Sequence, residues 1–209
     1  MNESKRIDVL VKNAGYGLGG ELKDLSMDEI KAQFETNVFG AIRVMKAVLP
    51  IMRKQRRGII INISSMGGRV AFPNYSAYHG SKFALEGISE SMRYETEPLG
   101  IKVVLVEPGT IKSNFFRNAK VGGQKAAESN TSSSPYAPIA QTMEKKWNHI
   151  YAQATSPEEV AKVILKAVRR DNPDVRYVVR NDAMQMINTR NRMSDLEFEG
   201  FIKQQFLAQ

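Results

Sequence analysis

Residues 58 to 68 read G-I-I-I-N-I-S-S-M-G-G, a run of isoleucines closed by small and hydroxylated residues. A strand with one face on solvent alternates apolar and polar residues. A run without alternation belongs to a strand covered on both sides, as in a parallel sheet held between helical layers. Working outward, I-D-V-L-V at 7 to 11 and K-V-V-L-V-E-P at 102 to 108 have the same form, and R-Y-V-V-R at 176 to 180 supplies a late fourth run.

Helical patterns occupy the intervals. Ser26 and Glu29 form a capping box opening a helix that runs towards Arg53, with Pro50 expected to end or bend it. Asn74 or Ser76 opens a second helix that stops near Pro98 and Gly100, and Ser156 with Pro157 opens a third that reaches about Arg170. Ser194 and Glu197 cap a short C-terminal helix. Strand, helix, strand, helix, strand predicts right-handed crossovers in an α/β fold: a doubly wound parallel sheet in three layers, α/β/α, forming one domain over 1–209. The connection 114–155 is too long for this rhythm and reads as a substrate-side loop or lid. Its second half carries Ile139, Met143, Trp147 and Ile150 at helical spacing, a stripe that could cover a pocket, though its plainest use is packing against the sheet.

Composition narrows the function classes. The chain is 42% apolar and 25% charged and has no cysteine, which fits a single globular domain in a reducing compartment, the cytoplasm, and leaves out disulfides and thiolate metal sites. No run approaches the ~20 apolar residues of a membrane span. The net charge of +8 is scattered, with Arg53, Lys54, Arg56 and Arg57 in one place and Lys145, Lys146, Arg169 and Arg170 in others, so a nucleic-acid partner is not expected.

Chemistry gathers where the strands end. Tyr78 and Lys82, in Y-H-G-S-K, are four residues apart on a helix and so share a face. An ammonium beside a phenol favours the phenolate, which would bring Tyr78 towards the range of a general acid or base for an alcohol or carbonyl oxygen. Tyr75 has no such partner. Ser65 follows the second strand, where a parallel sheet opens its ligand crevice, and could hold the same substrate oxygen. Asn37 sits among Phe34, Val38 and Phe39, an odd place for an amide without a buried partner. His79 points off the Tyr78 and Lys82 face, and both it and His149 read as incidental.

Five motifs in order, N-A-G at 13 to 15, Asn37, N-I-S-S-M-G-G at 62 to 68, Y-H-G-S-K at 78 to 82 and P-G-T-I-K-S at 108 to 113, make the chain resemble the short-chain dehydrogenase/reductase family over nearly its whole length. The resemblance implies a Rossmann-like fold and NAD or NADP as cofactor. Tyr78 would be the proton donor or acceptor, Lys82 would lower its pKa and bind the nicotinamide ribose, and Ser65 would polarise the substrate carbonyl. Asn37 would hold a water linking Lys82 to solvent. Asn13, Ala14 and Gly15 would line the adenosine side, and Pro108, Gly109, Ile111 and Ser113 would pack on the nicotinamide and bond its carboxamide. The implied reaction interconverts an alcohol and a ketone or aldehyde. Phe115, Phe116, Tyr136, Ile139, Trp147 and Tyr151 point to a medium-sized, partly apolar substrate. Pairing through the helices near 27–53 and 76–97 would make a homodimer or homotetramer.

Two departures stand out. Lys12 replaces an asparagine usual in the family. The glycine-rich turn T-G-x-x-x-G-x-G, which would hold the pyrophosphate, is absent from the 209 residues, so the domain reads as N-terminally truncated, opening at the family's fourth strand with an exposed edge. Three accounts fit: a piece of a longer protein, a short protein whose sheet is completed by another chain, or a shortened protein without a redox role. The rival functions are a cofactor-free binding or regulatory protein and a hydrolase using Ser65, the latter lacking a G-x-S-x-G elbow.

Overall fold

The computed structural model describes residues 6–122 and 136–207. Among these the strands are β1 (Val9–Lys12), β2 (Leu18–Gly19), β3 (Gly58–Ile63), β4 (Ile101–Pro108), β5 (Lys120–Val121) and β6 (Arg176–Val179). β1, β3, β4 and β6 lie in that order in one sheet, parallel throughout, while β2 and β5 form a separate short parallel pair. The helices are α1 (Met27–Phe34), α2 (Gly40–Gln55), α3 (Ser76–Thr96), α4 (Ala137–Ala152), α5 (Pro157–Arg169), α6 (Asn181–Arg192) and α7 (Asp195–Phe206).

The isoleucine run is explained by cover on both faces. Ile60, Ile101 and Val103 pack with Met45, Met52 and Leu85 of α2 and α3. Ile59, Ile61, Val104 and Val106 turn the other way, onto Ala167 and its neighbours Val160, Val163 and Ile164 of α5. Three layers, α/β/α, result. The pairing of Val9 with Ile59 and Val11 with Ile61 puts both valines on the α5 side, but they are 39% and 40% exposed. Among the described residues β1 has a strand neighbour only at β3, which is the exposed edge expected. Gln55 partly finishes it, its amide bonding both the N–H and the C=O of Ile7 at 2.9 and 2.8 Å.

Both capping boxes are present, at Ser26 with Glu29 and at Ser194 with Glu197. Other expectations need correction. Pro50 does not end its helix, which runs to Gln55 and stops where Arg56 turns left-handed. Neither Asn74 nor Ser76 caps α3. Tyr75 occupies the cap position, and Asn74 takes a left-handed turn (φ 66°) that its short amide tolerates. Between α1 and α2 the helix widens into a π segment, Glu35–Phe39, which the apolar spacing did not reveal. Helix α6 was also missed, because its sequence is mostly polar and only Ala183 and Ile187 are buried.

Of the long connection, residues 123–135 lie outside the described residues. Its second half is the predicted helix, α4, whose Met143, Ile139 and Trp147 join a cluster made mainly with Ile187, Phe198 and Phe206 of α6 and α7, with Val178 the contribution of the sheet, while Trp147 also lines the cavity. No helix among the described residues is long and apolar enough to cross a membrane.

Candidate active site

All four strands run the same way, so the residues after β1, β3 and β4 emerge along one rim. There Asn13, Gly15, Ser65, Tyr78, Lys82, Pro108, Gly109, Ile111 and Ser113 line one cavity of about 280 Å³. The predicted set is therefore brought together, apart from Ala14 and Asn37, which stand behind the lining.

Asn37 has the buried partners its position demanded. It is fully buried, its Nδ2 donates to Tyr16 O (3.0 Å) and Ser81 Oγ (3.0 Å), and its Oδ1 accepts the Tyr16 N–H at 3.1 Å. It thereby ties the loop after β1 to the π segment and to α3. Its backbone carbonyl is also engaged: Lys12 Nζ donates to Asn37 O at 3.0 Å and to Ala14 O at 2.6 Å. The departure at Lys12 thus brings two hydrogen bonds of its own to the loop after β1 and to the π segment. Burial pushes the Lys12 ammonium down from 10.5 to about 8.

Lys82 is buried and donates to Ile63 O at 2.9 Å, at the end of β3. Burial first, and then the charge of Lys12, push it down from 10.5 to about 7, with Glu86 opposing. Tyr78 was expected to be made more acidic by Lys82. Instead burial raises it to about 12, and the hydrogen bond from Ser65 only partly offsets this. The reason is that desolvation penalises each charged form separately, and the same burial holds the amine that should stabilise the phenolate at about 7. Ser65 Oγ accepts the Gly67 N–H at 3.0 Å, which fixes the turn after β3.

His79 has more to do than its sequence position suggested. It is buried, its Nε2 accepts the Phe72 N–H at 3.0 Å, and its Nδ1 donates to Gly67 O at 2.8 Å, an arrangement only the neutral Nδ1–H tautomer allows. Burial lowers its pKa accordingly. With both nitrogens spent on backbone, it cannot serve Ser65 as the base of a hydrolase.

Sequence reasoning also missed the brace under the Pro108 to Ser113 turn. Asp182 Oδ2 accepts the Thr110 N–H at 3.3 Å and Arg180 donates to Thr110 O at 2.8 Å, both from the β6–α6 junction, where Arg180 holds a φ of 89°. Thr110 Oγ1 faces this rim buried and without a hydrogen-bond partner. An orphan hydroxyl costs about 1 to 3 kcal/mol unless a ligand completes it. The far wall is aromatic: Phe115 lies 5.6 Å from Tyr78, and Phe116 lies 6.1 Å from Trp147, between ring centres. Among the described residues no acidic side chain lines the cavity.

A parallel α/β/α sheet whose rim carries serine, tyrosine and lysine around an aromatic cavity defines a class of dehydrogenase-like enzymes, and comparison with known proteins agrees. The family model for short chain dehydrogenase matches residues 1–124. An oxidoreductase of Schizosaccharomyces pombe is 36% identical over 193 residues, which cover 92% of this chain and 78% of the yeast protein. A 3-ketodihydrosphingosine reductase of Bacteroides thetaiotaomicron is 39% identical over 179 residues, covering 86% of this chain and 65% of the reductase. Among solved structures, ElxO with NADP bound superposes with a TM-score of 0.66 at 26% identity, over 88% of this chain and 69% of that one. The chain belongs to the short-chain dehydrogenase family and is an oxidoreductase of that type.

Proposed function

We propose that the chain carries the substrate-binding and proton-transfer part of an NAD- or NADP-dependent enzyme that interconverts a neutral, partly apolar alcohol and its ketone or aldehyde. The observation that carries this is the convergence of Ser65, Tyr78 and Lys82 on one cavity with an aromatic far wall and, among the described residues, no carboxylate. Ser65 holds the substrate oxygen, Tyr78 gives or takes its proton, and Lys82, one helical turn on, governs the charge Tyr78 can bear. Bound nicotinamide would supply hydride chemistry. Thr110 Oγ1, an orphan donor beside the apolar Pro108 and Ile111, suits its carboxamide, and Lys82 suits the ribose hydroxyls. ElxO, solved with NADP, and the Bacteroides reductase, named for a keto substrate, support the reading by likeness. We take 1–209 as one domain, with α4 as a cover of the substrate side, a homodimer or homotetramer as the assembly, and the cytoplasm as its place.

Trp147 is the only tryptophan and lines the cavity, so it reports on occupancy. Titration with NADH and NADPH should give energy transfer from Trp147 at micromolar concentration, and Tyr78→Phe should keep that binding while losing turnover of a panel of aryl and alkyl ketones. Absence of transfer from either nucleotide at millimolar concentration refutes the proposal and favours a cofactor-free binding role.

A further inference from the structure

One face of α3 carries Tyr78, Lys82, Glu86 and Glu90 at intervals of four, so a line of polar groups leads from the cavity through the protein to the surface. Glu86 is 5% exposed and meets Glu107 of β4, which is fully buried. Both converge on one guanidinium: Arg176 Nε is 3.3 Å from Glu86 Oε2 and 3.2 Å from Glu107 Oε1. Arg69 lies 3.3 Å from Glu107, and Glu90, at the exposed end, takes Arg176 at 3.1 Å. The buried contacts are longer than the 2.7–2.9 Å of a good charge-assisted bond, so the two buried carboxyls are poorly compensated. As carboxylates they also leave Glu86 Oε1 and Glu107 Oε2 buried without a partner of good geometry, with the Ser64 hydroxyl close enough to Glu86 to lower its pKa. Two buried orphan acceptors on carboxyls that share one cation are what a missing proton looks like.

We propose that Glu86 and Glu107 hold one proton between them, a carboxylic acid donating to a carboxylate, and that this pair is a positioning unit that governs the charge of Lys82 from behind the active site. One proton supplies a donor for both orphan oxygens and leaves a single negative charge for Arg69 and Arg176. Burial raises both carboxyls, Glu86 to about 7; the charge of Glu107 raises Glu86 further, whereas a hydrogen bond with Glu86 lowers Glu107. The groups facing the pair are Lys82 and Glu90 from α3, Ser64 and Arg69 from the segment after β3, Glu107 itself from β4 and Arg176 from β6. Lys12 acts on the far side of Lys82. When the shared proton leaves as pH rises, the pair gains a second negative charge four residues from Lys82, and Lys82 keeps its ammonium to higher pH.

This deepens the oxidoreductase reading, and its test has an arm that needs no turnover. Infrared difference spectra of the full chain, wild type against Glu86→Gln and Glu107→Gln, should contain at pH 7 a protonated-carboxyl stretch that disappears in either variant and fades in the wild type as pH rises. Selective 13C labelling of lysine Cε should show Lys82 titrating about one pH unit lower in Glu86→Gln, a tenfold change in its ionisation constant, and the alkaline limb of turnover should fall with it. A folded wild type with no protonated-carboxyl band overturns the shared proton. A band with an unmoved Lys82 titration overturns the positioning role. If neither nucleotide binds, the infrared and carbon readouts still decide the pair, so the two proposals fail separately. Glu107→Gln serves should Glu86→Gln not fold.

Discussion

Replacing Lys12 by methionine keeps the length and apolar stem of the side chain but removes an ammonium held by Ala14 O and Asn37 O. The folded value of about 8 lies below the ordinary 10.5. The unfolded chain therefore holds this proton up to about pH 10.5 while the folded chain releases it near pH 8. Between those limits the unfolded state binds more protons, so stability rises with pH, and below pH 8 it stays at its lowest. At ~1.4 kcal/mol per pH unit the full difference is about 3 kcal/mol, and solvent screening reduces it to about 2 kcal/mol. The variant lacks this rise, and at pH 7 it loses roughly 1 kcal/mol for the Asn37 carbonyl, offset by the desolvation it no longer bears. Urea midpoints and slopes for both proteins at half-unit steps from pH 7.5 to 9.5 would measure it. The wild type should gain on Lys12→Met by about 1 kcal/mol or more across that span. Lys82 titrates in both proteins but is itself lowered by Lys12, so the difference between the profiles reads Lys12 together with the upward shift its removal gives Lys82. Parallel profiles would mean that the Lys12 ammonium is not desolvated on Asn37, and the account of the departure at this position would fail.

Leu85→Ala empties a fully buried position between α3 and the sheet and should lower unfolding stability by about 2 to 5 kcal/mol; a loss under about 1 kcal/mol in urea would show the core to be looser than described. Lysine at Val9 and Val11 should reduce self-association of the chain by light scattering, because both valines stand exposed on the outer strand; unchanged scattering would mean that this edge is not where molecules meet. His79 is depressed below its ordinary 6.5, so the unfolded chain takes up its proton first and stability is lost as pH falls through that value. His79→Gln should flatten that acid limb in urea melts, and an equally steep limb would place the titration elsewhere. Lys82, near 7, is about half-protonated at pH 7, and an anionic nucleotide beside it should draw in a fraction of a proton. Calorimetry in buffers of different ionisation enthalpy reads that uptake, and buffer-independent heats would contradict it.

What could be read from sequence was local or periodic. The four strand runs, the two capping boxes and the Tyr78 to Lys82 spacing each depend on neighbours within a few residues, and each stands where the pattern put it. Long-range pairing decided what could not be read. Glu107 looks like any strand-end acid until Arg69, 38 positions earlier, and Arg176 close over it, and Glu86 meets Arg176 across 90 positions. Lys12 finds a carbonyl 25 residues on, in a π segment that no apolar spacing announces. The direction of the Tyr78 shift was misjudged for the same reason: proximity of a lysine is visible in sequence, whereas the burial that neutralises it is not.

Tyr78 near 12 and Lys82 near 7 stand in the wrong order for a lysine meant to support a phenolate. Burial sets that order, and a small change in charge around Lys82 can shift it, since each pH unit amounts to only ~1.4 kcal/mol. Two neighbours act on that ammonium from opposite ends. Lys12, on the Asn37 carbonyl, lowers it, and Glu86, backed by Glu107 and Arg176, raises it. Neither Lys12 nor Glu86 touches the cavity. The charge Tyr78 can use is thus governed from outside the site, and substitutions at Lys12 and Glu86 should displace the pH response in opposite directions while leaving the walls that recognise substrate untouched.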